Sequence, residues 1–196
     1  MNVFFTADPH YGHKGILNHR AFASVDEMNY TMTERHNSVV GRRDLVYIIG
    51  DFAWKNHAKF ISLLHGKKVL ILGSHDKMNQ EILSQFTEVH RYMEISVEGQ
   101  KIVLFHNPID SWEGMYRGVW HFYGHSHGRT VETMTKLRCD VGVDVWDYQP
   151  VSYEVLKKKM EVRYDSFRQF LKGDRQKELQ ERVRNLHEEN IRFLRG

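Results

Sequence analysis

The sequence predicts an α/β fold in which two β-sheets pack face to face with helices outside them, followed by a helical C-terminal extension. Three observations predict it. In the first half of the chain, short apolar runs that end in glycine alternate with helix-like stretches, the grammar of strands buried on both faces. From Val89 the pattern changes to a hairpin and further short strands, enough for a second sheet. After Pro150 the periodicity becomes helical and stays so.

Taken in order, Asn2 to Thr6 is a short apolar strand. The stretch 14–41 is helical in character, with Met28, Met32 and Val39 available for an inner face and Asp26 positioned to cap the second helix. Leu45-Val46-Tyr47-Ile48-Ile49 is a continuous apolar strand ended by Gly50, and Lys68-Val69-Leu70-Ile71-Leu72 is another, ended by Gly73. Helices are expected between them, from His57 to Leu64, and after them, from Met78 to Phe86. Tyr92–Val97 and Lys101–Phe105 read as a hairpin turning at Glu98-Gly99. Val119 to Tyr123 and Leu137 to Val141 supply the last strands. A helix resumes near Ser152. Between Asp174 and Leu194, Leu179, Val183, Leu186, Ile191 and Phe193 form an apolar stripe among dense charge, supported by the Glu178–Arg182 pairing. The expected division is a core of residues 1–150 and a helical extension of residues 151–196. That extension packs on the core or serves as the surface of a homodimer or another partner.

Composition narrows the function. A chain of 196 residues and 23.3 kDa suffices for one substantial core and does not require two. The net charge of +3, from 28 basic and 25 acidic residues of interleaved sign, does not advertise the continuous basic groove that an extended nucleic acid needs. Thirteen histidines are more informative, because imidazole is the commonest metal ligand. The lone Cys139 excludes an intrachain disulfide and suits a reducing compartment. No signal-peptide core precedes Asp8, and no apolar run approaches the roughly 20 residues of a membrane span. The expectation is a cytoplasmic enzyme of a bacterium or a phage, with no membrane partner.

The polar punctuation of the strands carries the chemistry. Asp8 and His10 sit two apart after the first strand, so in extended geometry both side chains point to one side and can clasp one ion. Asp51 follows the second strand, where its two oxygens can bridge two ions. His106 follows a third, and His125 and His127 repeat the two-residue spacing after a fourth. Carboxylates mixed with imidazoles suit manganese, iron, nickel or zinc better than calcium or magnesium. Two such cations activate a water and neutralise the oxygens of a phosphoryl centre. His75, on a tight loop after Gly73-Ser74, is the candidate proton donor to a leaving group, with Asp76 to orient it or to cap the next helix.

The ordered set Asp8-x-His10, Gly50-Asp51, Gly73-Ser74-His75-Asp76, His106 and Gly124-His125-Ser126-His127 resembles the motifs of the calcineurin-like metallophosphoesterase family, DxH, GD, GNH[D/E], H and GHxH. The resemblance spans about residues 2 to 150. It implies a four-layer α/β/β/α sandwich of two facing mixed sheets, with a dinuclear site that hydrolyses phosphomonoesters or phosphodiesters. It also implies a ligand set: Asp8, His10, Asp51 and His127 for the first metal, and Asp51, Ser74, His106 and His125 for the second. Ser74 departs from the family's asparagine. A serine hydroxyl reaches less far than an amide oxygen, which predicts a weaker second metal. His10-Tyr11-Gly12-His13, Asn37 ahead of Asp44-Leu45-Val46-Tyr47, and Val141-Gly142-Val143-Asp144-Val145-Trp146 resemble a subgroup of small bacterial and phage-encoded members. That likeness makes His13, Arg20 and Asn37 candidates for substrate contact and leaves Asp144 and Asp147 with structural roles. Trp112, Tyr116 and Arg117 are candidates for contact with a base. The substrate expected is a small phosphodiester, including a cyclic nucleotide. Phosphomonoesterase, exonuclease and metal-stabilised scaffold stand as the alternatives.

Overall fold

Alternation along the strands decides which side chain faces which layer. In β1 (Val3–Thr6), β2 (Leu45–Ile49) and β3 (Lys67–Ile71), Phe5, Tyr47, Ile49, Val69 and Ile71 join one core cluster, and Phe4, Val46, Ile48 and Leu70 join the other. With both faces apolar, these strands pair in parallel inside the protein, and β4 (Glu88–His90) extends them beyond β3. At the opposite edge β9 (Val151–Ser152) runs antiparallel to β1, giving the order β4-β3-β2-β1-β9. The second sheet has the order β5-β6-β7-β8, from β5 (Tyr92–Val97), β6 (Gln100–Phe105), β7 (Trp120–Tyr123) and β8 (Arg138–Asp140). Its β5–β6 hairpin turns at Glu98 and Gly99, whose φ angles of 50° and 83° match the right-handed twist of the strands. Its other pairings are parallel, so both sheets are mixed.

The computed structural model describes residues 1–195, with side chains placed for all of these except 174–176 and 189–195. One core cluster fills the space between the sheets, where Phe5 stacks on Tyr47 at 5.4 Å and meets Phe122 edge-on at 4.9 Å. The second lies beneath α1 (Val25–Val39) and α2 (His57–Leu63), which cover the outer face of the first sheet with Met28, Met32, Phe60 and Ile61. The outer face of the second sheet carries Val103 under Trp112 and Met115. α4 (Tyr153–Gln169) delivers Leu156, Met160 and Phe167 to the inter-sheet core and is anchored by Arg163 on Glu132 and the Arg138 carbonyl. The π-helical turn Phe170–Asp174 leads into α5 (Arg175–Arg195), where Leu179, Val183 and Leu186 are exposed. The expected stripe positions Ile191 and Phe193 lie outside the described side chains. The expected two-sheet α/β/β/α sandwich with a C-terminal helical extension is the architecture found.

Local details differ from expectation for physical reasons. Ser24, not Asp26, caps α1 by accepting from the Glu27 amide at 3.1 Å, and Asp26 instead sits in the first turn, where the helix dipole favours it. Val39 is exposed, and His36 takes the inner position with a 3.0 Å contact to the His65 carbonyl. The helix expected from Met78 contracts to α3 (Gln80–Leu83), capped by Asn79. β4 and β9 are too short to carry a periodic signal. No helix among the described residues is long and apolar enough to cross a membrane.

Candidate metal centre

Every candidate ligand leaves the C-terminal end of a strand, where parallel sheets open a crevice between diverging loops. The loops after β1 and β2 stay paired past the strands, through Asp8 N–H to the Gly50 carbonyl and His10 N–H to the Asp51 carbonyl, both 3.0 Å. Across the sandwich an isolated parallel bridge joins Ala7 to Gly142 and fastens the two sheets at this end. The backbone of the ligands is not the extended one expected. Asp8, His10, Asp51, His125 and His127 have φ of 55°, 50°, 52°, 66° and 48°, five of the nine non-glycine residues with positive φ among those described. Asp and His tolerate that region better than most residues, at a cost of about 1–3 kcal/mol each, and strain of this kind concentrates at functional sites. Glycine is required beside them. A Cβ on Gly50, at φ 86°, would lie 2.2 Å from His106 Nδ1, and one on Gly124 would lie 2.3 Å from Asp8 Oδ2.

Each carboxylate has one oxygen fixed and one presented. Asp8 Oδ2 accepts from the His125 amide at 2.8 Å, while its Oδ1 is buried without a hydrogen-bond partner. Asp51 Oδ1 accepts from the His75 amide at 2.8 Å, while its Oδ2 lies 3.6 Å from His10 Nε2 and 3.4 Å from His106 Nε2. Those two imidazole nitrogens are likewise buried without partners. Leaving such atoms unsatisfied is costly, and here they converge. Ligand atoms of Asp8, His10 and His127 lie within 4.8 Å of one another, as do those of Asp8, Asp51 and His106. The donor set would fit two divalent cations, and Asp8 is common to both groups. The electrostatics agree. Burial pushes the Asp8 carboxyl up to about 7 and holds the His10 imidazole down at about 3, neutral as a ligand must be. Burial opposes a charge on His106, but the Asp51 and Asp8 carboxylates outweigh it and raise that imidazole to about 9.

A surrounding set of contacts aims the ligands. His106 Nδ1 meets the Ile49 carbonyl at 2.9 Å and His127 Nδ1 meets Asp144 Oδ2 at 2.8 Å, which leaves Nε2 of each ring facing the cluster. Arg20 is the first correction to the expected substrate contacts. Its guanidinium is turned inward, bonding both oxygens of Asp144 at 2.7 and 2.8 Å and the carbonyls of Asp8 and Pro9 at 2.7 and 3.0 Å. Asn37 is the second. From α1 it bridges the Leu63 carbonyl and the His65 amide, a structural role away from the ligands. Asp76 does not reach His75 through its carboxylate either. It accepts from the amides of Asp51, Phe52 and Gly73, clamping the loops after β2 and β3 together. Asp140 does the same for the last loop, accepting from Ser126 Oγ and the amides of Gly128 and Gly142.

The remaining candidates ring this centre. His75 is exposed, its ring 5.9 Å from that of His10. His125 is exposed and packs edge-on against His106 at 5.1 Å, and Ser74 lies exposed on the clamped loop. His13 sits 5.5 Å from His10 and stacks on Trp54. Trp54 escaped the sequence reading, because one aromatic after Gly50-Asp51 looks like core until its exposure is known. The loop expected to touch a base does not: Trp112 is buried and donates to the Val119 carbonyl, and the 3₁₀ turn Met115–Arg117 precedes β7, at the far end of the strands.

Two mixed sheets pack face to face, with paired Asp/His clusters at the strand ends. The chain is 32% identical over 171 residues to uncharacterized protein MJ1445 of Methanocaldococcus jannaschii, covering 81% of this chain and 91% of that one, and it belongs to the same family. It is 28% identical over 178 residues to the Gene 66 protein of Mycobacterium phage D29, covering 74% and 89% of the two. No family model matches. Among solved structures, the protein of unknown function AQ665 from Aquifex aeolicus has the same fold, with a TM-score of 0.63 at 23% identity over 80% of this chain and 98% of that one.

Proposed function

We propose that this chain is a metal-dependent phosphodiesterase acting on a small substrate, including a cyclic nucleotide, with two manganese ions as its cofactors. Iron, nickel or zinc are the alternatives. The observation that carries the reading is the convergence of the unpartnered Asp8 Oδ1, His10 Nε2 and His106 Nε2 around the Asp51 carboxylate. Asp8, His10 and His127 would hold one ion, His106, His125 and Ser74 the other, with Asp51 shared. When bound, the pair supplies Lewis acidity, activating a water and neutralising phosphoryl oxygens. The protein's own groups do the rest. His75, exposed beside the ligands, donates a proton to the departing oxygen, and His13 lines the approach. Asp76 fixes the loop that carries His75, and Asp144 and Arg20 hold His127 and the Asp8–His10 turn.

An exposed His75 favours the enzyme over a metal-stabilised scaffold, which needs the ligands and no acid above them. The Gene 66 relative supports a place in the small bacterial and phage-encoded subgroup. Buried Cys139 suits the cytoplasm. We divide the chain into a phosphoesterase core of residues 1–150 and an extension of residues 151–196, whose first part packs on that core through β9 and α4 and whose exposed Leu179, Val183 and Leu186 suit a homodimer.

Turnover of bis-p-nitrophenyl phosphate in manganese tests the reading, and Ser74→Asn sharpens it. The longer amide oxygen is expected to tighten the weaker manganese ion about tenfold and to raise activity at limiting metal. Calorimetric titration and steady-state rates measure both. Equal affinity in the two proteins would remove Ser74 from the ligand set.

A further inference from the structure

We propose that Trp54 is a stacking surface for a planar ring carried by the leaving group of the substrate, so that the enzyme selects esters of nucleosides over esters of plain sugars or alkyl alcohols. This rests on the phosphodiesterase reading and adds a specificity residue to the same site.

Trp54 lies three positions beyond Asp51, on a loop that the rest of the fold holds rigid. Its amide donates to the Tyr11 carbonyl at 2.8 Å, the Tyr11 amide donates to the Phe52 carbonyl at 3.1 Å, and Tyr11 and Ala53 form an isolated bridge. Phe52 and Ala53, just before it, are fully or nearly buried. Trp54 is 52% exposed. The loop is pinned by backbone bonds and by Phe52, so the indole is not needed to hold it. Its position is nevertheless set. One face lies on His13 at a centroid distance of 4.3 Å and an interplanar angle of 13°, and His75 stands at 5.5 Å, tilted by 50°. Stacking on His13 covers one face, and half of the residue stays open to solvent. A large, rigid, amphipathic ring left open beside a catalytic centre is a surface for another ring, because every nucleobase presents a π-face to it.

The side on which it stands identifies the group it would meet. His75 is the proton donor to the departing oxygen, and Trp54 is its ring neighbour. A leaving group protonated by His75 emerges against the indole. The ring it favours is therefore the one on the alcohol that departs.

The test is calorimetric binding of AMP and of ribose 5-phosphate to the manganese-loaded protein. The two probes share sugar and phosphate and differ in the base. AMP is expected to bind about tenfold more tightly than ribose 5-phosphate, Trp54→Leu to abolish the difference without changing ribose 5-phosphate affinity, and Trp54→Phe to retain most of it. Unchanged ribose 5-phosphate binding also shows that the variant is folded. If the wild-type protein binds both equally, or if the preference survives in Trp54→Leu, the stacking surface is overturned while the phosphoester site stands. If neither probe binds the metal-loaded protein, the phosphodiesterase reading fails and the proposal falls with it.

Discussion

Asp51→Asn is expected to strip the protein of tightly held manganese and to lower phosphodiester turnover by about a thousandfold or more, the equivalent of losing several kcal/mol of charge stabilisation. The reason lies in how the carboxylate is used. Its Oδ1 is committed to the His75 amide and its Oδ2 faces both His10 and His106. An amide cannot serve both sides. If its oxygen keeps the bond to His75, its NH₂ points at the two imidazole nitrogens and occupies the place of the cations. Rotated, the NH₂ opposes the His75 amide, donor against donor. The first orientation sets an NH₂ against a His106 imidazole that the carboxylate had kept protonated, so the variant is expected to fold but to melt below the metal-free wild-type protein. Metal analysis after dialysis, rates and thermal unfolding check the three parts. A variant that keeps two ions and its turnover would remove Asp51 from the bridging position.

Asp144→Ala is expected to act on stability and on metal together, from outside the ligand set. Asp144 accepts both the forked bond from Arg20 and the contact from His127 Nδ1. Burial disfavours its charge, but the bonds from His127 and Arg20 outweigh that and hold it well below the ordinary carboxylate range. Removing it strands a guanidinium whose side chain has 0% exposure, at a cost of about 3–5 kcal/mol. It also frees the His127 ring, and loss of an orienting partner of this kind costs about 10- to 100-fold in metal affinity. Urea unfolding and manganese titration read the two effects separately. A variant that loses stability yet binds manganese normally would show that Asp144 supports the fold without aiming His127.

The strand ends were legible because their signal is local: an apolar run, a glycine, then Asp or His. The two-sheet architecture followed from the same runs, since Phe4, Val46, Ile48 and Leu70 need a partner on one face and Phe5, Tyr47 and Ile49 on the other. What was not legible depends on separation or on the backbone. Arg20 and Asp144 stand 124 positions apart, and nothing near either one names the other. Arg20 therefore read as a cation facing phosphate, when it rivets the Asp8–His10 turn to the His127 loop. The two-residue spacing of Asp8 and His10 suggests a strand pleat, whereas positive φ at both residues sets their backbone instead. Asp76 read as a partner of His75 from adjacency in sequence, while the unpaired amides of the loops after β2 and β3 claimed its carboxylate instead. Trp54 lacked a signal because aromatic residues in this chain are mostly core, and exposure appears only in three dimensions.

Titrating metal-stripped protein with manganese while following bis-p-nitrophenyl phosphate hydrolysis tests the central claim most directly. The account expects negligible turnover without metal and a rate that climbs until about two ions are bound per chain, the later ion governing the rise because Ser74 holds it weakly. Full metal loading with no turnover of this diester would contradict it.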